Sequence, residues 1–245
     1  MAATGVSNTP LMSVGALLKE SWVQTRRHMR TLVVLLLPLT IVMGLVQTFL
    51  DPVSPFVATG SALVGWLIVM VATVIWSFFA YVAMIQTLAR DTEQLVARAA
   101  YQQSTRFVLP VVGVSFLAIL ISFVGFVLLI IPGIIWTTWY SFAPYVMVAE
   151  PDRVVTALAK SHQYVAGRFW AVVGRIVVLA LVMGGGMLMA VIVALLLGFI
   201  PGLNDTTNLG SVLVMTVILS LTFLPIQLFG QVFHYRLYEA LRASR

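Results

Sequence analysis

Six apolar stretches separated by short polar breaks run from Thr31 to Phe233. A helix needs about 20 apolar residues to cross a hydrocarbon core. In lipid its backbone polar groups must be satisfied within the segment, so such stretches are expected to cross as helices. Residues 31–50 meet that length, and 61–88 exceed it and should tilt or protrude. Residues 107–149 carry no charge and suffice for two crossings. Pro132-Gly133 is the expected turn between them, because Pro lacks a donor and Gly tolerates positive φ. Residues 169–200 and 208–233 supply a fifth and a sixth span.

Composition leaves little choice of solvent. Charged residues make up 9% of the 245 residues and hydrophobic ones 61%, where a soluble domain carries roughly 25% charged. Too few polar groups exist to cover a soluble surface. The net charge of +6 is therefore no nucleic-acid signal, since the basic residues cluster beside the apolar stretches, where anionic head groups attract them. Cys is absent, which removes disulfides and thiolate metal sites. Lys19, Arg26, Arg27 and Arg30 precede the first apolar run, which reads as an uncleaved signal anchor.

All fourteen Lys and Arg fall within 1–30, 89–106, 150–175 and 234–245, and the alternate breaks at 51–60, 132–133 and 201–208 hold none. Positive charge marks the cytoplasmic side, so both termini are expected there. Each odd-numbered span is also preceded by a segment with helical patterning. Val14, Leu17, Leu18, Ser21 and Trp22 form one stripe, and Val154, Leu158, Ser161 and Val165 another, with Pro151 placed for a first turn. Asp91 with Gln94 resembles a cap before the third span. The expected fold is all-α and polytopic: six transmembrane helices as three hairpins, each preceded by a cytoplasmic interfacial helix. A cytoplasmic amphipathic segment at 1–30 leads a membrane domain at 31–233, and a basic tail closes the chain at 234–245.

The segments Ile131-Pro132-Gly133-Ile134-Ile135-Trp136, Ser141-Phe142-Ala143-Pro144-Tyr145, Ala149-Glu150 and Gly167-Arg168-Phe169-Trp170 carry a resemblance, as does Tyr235-Arg236-Leu237-Tyr238 in the tail. In this order they resemble the membrane domain of bacterial glycerophosphoryl diester phosphodiesterases and the related YciC-like inner-membrane proteins. The resemblance implies a six-span helical domain in the bacterial inner membrane, sometimes fused to a phosphodiesterase barrel. No stretch here has the alternating strand and helix pattern or the carboxylates of that barrel. The family's enzymatic name is therefore not read as an activity of this chain.

Several positions carry competing readings. Glu150 and Arg175 are a candidate buried ion pair, because intramembrane charges are costly and seldom idle. Alternatively Arg175 snorkels to head groups and Glu150 marks an interface. Gly184, Gly185 and Gly186 lie mid-span and suit either close helix packing or a hinge. Pro38, Pro110, Pro144 and Pro225 kink or end helices, and the carbonyls they free are re-satisfied by neighbours or line a cavity. Gln86, Ser115, Ser122, Thr137, Thr138, Ser141, Gln227 and Gln231 form a thin polar set suited to interhelical hydrogen bonds. His28, His162 and His234 have no carboxylate partner at ligand spacing, so neither a metal nor a cofactor is expected. No Gly-x-Ser-x-Gly or phosphate loop occurs.

The function expected is non-enzymatic: organising or sensing membrane lipid or envelope components from the inner membrane. Arg26, Arg27, Arg30, Arg90, Arg98, Lys160 and Arg168 would contact anionic lipid head groups. A carrier or channel for a lipid or small amphiphile is the first alternative. A membrane partner of a separately encoded phosphodiesterase is the second.

Overall fold

Nothing between Val14 and Phe49 stops a helix: the basic cluster at 26–30 holds neither Gly nor Pro, and Pro38 is tolerated as a kink. The computed structural model, which describes residues 11–49, 60–90, 97–200 and 208–244, accordingly shows one helix, α1 (Val14–Phe49). Its 36 residues span about 54 Å at 1.5 Å per residue, well beyond a hydrocarbon core. α2 (Gly60–Arg90), α3 (Ala97–Leu128), α4 (Ile130–Tyr140), α5 (Ala143–Ala149), α6 (Val154–Val165), α7 (Phe169–Gly198) and α8 (Leu209–Ala243) follow. No strand occurs among the described residues, and α1, α2, α3, α7 and α8 are long and apolar enough to cross a membrane.

The expected interfacial helices are corrected by this continuity. The first is the opening of α1 and the third-span segment is the opening of α3, because no breaker divides either from the apolar run that follows. Only α6 is separate. Gly167, at φ 81, turns the chain between α6 and α7, a conformation that side chains with a Cβ disfavour. Pro151 lies before α6 rather than in its first turn, since the helix starts at Val154 after Arg153. The cap at Asp91 and Gln94 lies outside the described residues.

The turn expected at Pro132-Gly133 is also displaced. The chain reverses at Leu129, whose backbone is extended (φ −164, ψ 153), and Pro132 falls in the first turn of α4. There its missing N–H costs nothing, because the first four helix donors have no intrahelical partner. The glycines instead permit the close approach of α3 and α4. A Cβ on Gly125 would lie 3.0 Å from the Gly133 Cα and 2.8 Å from the Trp136 ring. One on Gly133 would strike the Phe126 ring. Pro144 sits at the start of α5 and, lacking an N–H, cannot continue α4. The fourth apolar stretch is thus two short helices of 11 and 7 residues.

Small residues set the remaining crossings. α1 and α8 run antiparallel, with Gly44 against Thr216 and Ser220, and Trp22 against Phe229. α7 and α8 do likewise: Gly186 packs on Ile226 and Gly230 on Met183. α7 passes unbroken through its glycine triplet. Gly184 and Gly185 face open space, leaving the close-packing role to Gly186 alone.

Burial is uneven along the bundle. The packed core gathers residues 80–88 of α2, Phe142 with residues 143–148 of α5, 157–165 of α6 and the last four turns of α8. Toward the opposite end, Ile119, Leu195 and Phe199 are 63%, 64% and 84% exposed. Apolar surface left open at this scale marks contact with lipid tails rather than water.

Candidate functional site

Antiparallel packing brings the start of α1, the end of α8, the start of α7, and the α5–α6 junction to one end of the bundle. Glu150 closes α5, its N–H donating to the Val146 carbonyl at 2.8 Å. Its carboxylate is the meeting point of three elements. Lys160 Nζ lies 3.1 Å from Oε2, Arg242 Nε lies 3.0 Å from Oε1, and the Tyr164 hydroxyl donates to Oε1 at 3.2 Å. The proposed Glu150–Arg175 pair is therefore replaced. Arg175 donates instead to the carbonyls of Ala171 at 2.8 Å, Leu11 at 3.4 Å and Met12 at 2.5 Å. A guanidinium on the first turns of α7 reaches main-chain acceptors of the incoming chain more readily than a carboxylate already saturated by two cations.

Burial alone would push the Glu150 carboxyl up. The hydrogen bonds from Lys160 and Tyr164 and the Arg242 charge outweigh it, and the group titrates below its ordinary value of 4.5. The Glu150 hydrogen bond likewise lifts the Lys160 ammonium above its ordinary 10.5.

An aromatic layer covers this carboxylate. Tyr238 stacks on Tyr145 at 5.9 Å and meets Tyr164 edge-on at 6.0 Å, and His234 lies parallel to Tyr145 at 6.4 Å. Ser161, on the buried stripe expected for α6, donates to the Trp139 carbonyl at 2.6 Å. That bond ties the last turn of α4 to α6. His162 packs on the same Trp139 at 4.4 Å. Among the described residues no group of three or more His, Asp or Glu could hold a metal ion.

Of the seven cations expected at head groups, six have described side chains. Arg26, Arg27, Arg30 and Arg98 are exposed at the basic end, with Arg26 also lying 4.8 Å over the Trp22 ring. Lys160 and Arg168 are held by the protein. Lys160 is shared by Glu150 and Asp152, and Arg168 donates to the Ser244 carbonyl at 3.0 Å and to its hydroxyl. These two tie α6 and the end of α8 in place, a role that local sequence could not reveal. Arg90 ends α2, and its side chain lies outside the described residues.

The thin polar set converges in part. Ser115, Ser122, Thr137 and Ser141 line a lateral cavity of ≈ 420 Å³ between α3 and the α4–α5 break. Its wall is otherwise apolar. The hydroxyls of Thr137 and Ser141 are spent on the Gly133 and Thr138 carbonyls, so the cavity suits a hydrocarbon chain better than a polar solute. Gln227 and Gln231 face Ser77 and Tyr81 across a second cavity of ≈ 250 Å³. Gln86 reaches the Gln103 carbonyl at 3.5 Å. Tyr101 was missed by sequence reasoning. Its hydroxyl donates to the Leu35 carbonyl at 3.0 Å and accepts from Trp76 at 3.2 Å, joining α1, α2 and α3 within a turn of Pro38. No family model, curated protein or solved structure matches the chain.

Proposed function

We propose that the chain is a non-enzymatic protein of the bacterial inner membrane whose basic end organises or senses anionic lipid at the cytoplasmic face. In this reading the membrane is crossed six times, with α4 and α5 together making the fourth crossing, and both termini lie inside. The observation that carries it is the gathering of exposed Arg26, Arg27, Arg30 and Arg98 at the single end where α1, α3, α6, α7 and α8 meet. Each such cation near an anionic surface contributes about 1 kcal/mol.

Two measurements test it. The chain has no Cys, so the single substitutions Arg98→Cys and Leu129→Cys can be labelled without background. The thiol of Arg98→Cys should react with a membrane-impermeant maleimide only after the cells are opened, and that of Leu129→Cys in intact cells. The reverse pattern inverts the proposed topology. In flotation with liposomes, the purified protein should bind anionic vesicles about tenfold better than neutral ones at low salt. Neutralising the four arginines to Gln should erase the difference, and equal binding by the parent protein removes the reading.

A further inference from the structure

The part of α1 that projects beyond a hydrocarbon core carries Lys19, Glu20, Gln24 and Arg27 at helical spacing on one face. Arg236 of α8 closes that face into a groove of ≈ 440 Å³. Lys19, Arg27 and Arg236 stand against Glu20 in the lining and against Glu239 beside it, which pairs with Arg236 through Nη1 at 2.8 Å, so three cations face two carboxylates and the site keeps a small positive excess. The charge is not merely displayed on a surface. Gln24 is 4% exposed, and its amide oxygen has no hydrogen-bond partner. The Nε of Arg236 is likewise buried without one. An acceptor and a donor without partners therefore lie at the inner wall of the groove, buried beneath its basic side chains until those part.

We propose that this groove binds a phosphate monoester. Its anionic oxygens would be received by Lys19, Arg27 and the Arg236 Nε–H, and its remaining P–OH would donate to the Gln24 amide oxygen. A phosphodiester without a hydroxyl offers the first half of that pattern and not the second, and so does sulfate. The phosphate that keeps a P–OH can be the monoester head group of a lipid or the free phosphate ion, and the groove recognises the same atoms in either. In its lipid form the proposal rests on the reading that this end of the bundle meets anionic lipid, and it adds a saturable site to a diffuse attraction.

The test uses the full chain in detergent, probed by native mass spectrometry with phosphatidic acid, phosphatidylmethanol and phosphatidylcholine. Phosphatidic acid should bind about 5- to 10-fold more tightly than phosphatidylmethanol, the worth of one hydrogen bond. In Gln24→Leu that preference should fall below about twofold while binding of phosphatidylmethanol is kept. This variant removes a buried orphan and keeps the side-chain volume, so folding is not at risk. Lys19→Gln should weaken both anionic lipids. Competition by inorganic phosphate but not by sulfate supports the site and assigns it the soluble ion. A phosphatidic acid preference that inorganic phosphate leaves intact supports it and assigns the lipid. Equal binding of the two anionic lipids, or a Gln24→Leu variant unchanged from the parent, overturns the site. Either result leaves the broader reading standing if both still exceed phosphatidylcholine. Loss of that last difference sinks the broader reading instead.

Discussion

Gly125→Leu is expected to lower stability in detergent by about 2–3 kcal/mol, the cost of forcing side-chain volume into a closed contact. The new Cβ would meet the Gly133 backbone at 3.0 Å and the Trp136 ring at 2.8 Å. Main chain on the facing helix cannot rotate aside. Leucine gains helix propensity over glycine by about 0.8 kcal/mol, which is too little to offset the clash. Gly133→Leu should cost less, about 1 kcal/mol, because the Phe126 ring it displaces is 47% exposed and can swing outward. Gly184→Leu is the control, as its Cβ meets nothing within 4 Å. Thermal unfolding of the three variants followed by size exclusion ranks them. A Gly125→Leu protein as stable as Gly184→Leu would show that the α3–α4 contact does not hold the hairpin.

The second large effect belongs to Glu150→Gln. Three donors on two further helices share this one carboxylate, and the amide keeps hydrogen bonding while losing the charge. Charge-assisted bonds are about twice as strong as neutral ones. The Arg242 side chain is 51% exposed, so solvent screens its share, and the expected loss is about 1–2 kcal/mol. Hydrogen exchange should quicken in α6 and in the last two turns of α8, and not in α2. The pH dependence has a defined sign. The folded carboxyl titrates below 4.5, so on acidification the unfolded chain takes up its proton first. The stabilisation is complete above about pH 5 and is lost as the pH falls through the folded value. Lys160 acts at the other limit: its stabilising charge is present up to its ordinary 10.5 and is lost as the pH rises through the higher folded value. Acid sensitivity equal in Glu150→Gln and the parent would count against the assignment.

The long helices could be read from hydropathy because lipid and core both demand apolar segments of fixed length. Their rotation could not be read for the same reason. When the solvent is as apolar as the interior, the face of α7 carrying Leu181 toward lipid and the face carrying Leu179 inward look alike in sequence. Helix ends fall where a residue forbids continuation, as at Gly167 and Pro144. They were misplaced where none does, as at the head of α1, or where Pro132 was tolerated in a first turn. The basic clusters were legible as a set. Their division into exposed Arg26 and tethered Lys160 depended on partners such as Arg242, which lies far along the chain from Glu150 and Lys160.

Both ends of the described chain are fastened at the start of α7, Met12 through Arg175 in its second turn and Ser244 through Arg168 just before its first. This imposes an order on biosynthesis. α1 is inserted while its anchor is still 163 residues away in sequence, on the order of ten seconds of translation. Until then its leading turns have neither α7 nor α8 to rest against. A chaperone or insertase that shelters that stretch would have a defined interval in which to act, closing when Arg175 emerges and sealed when the final serine is captured.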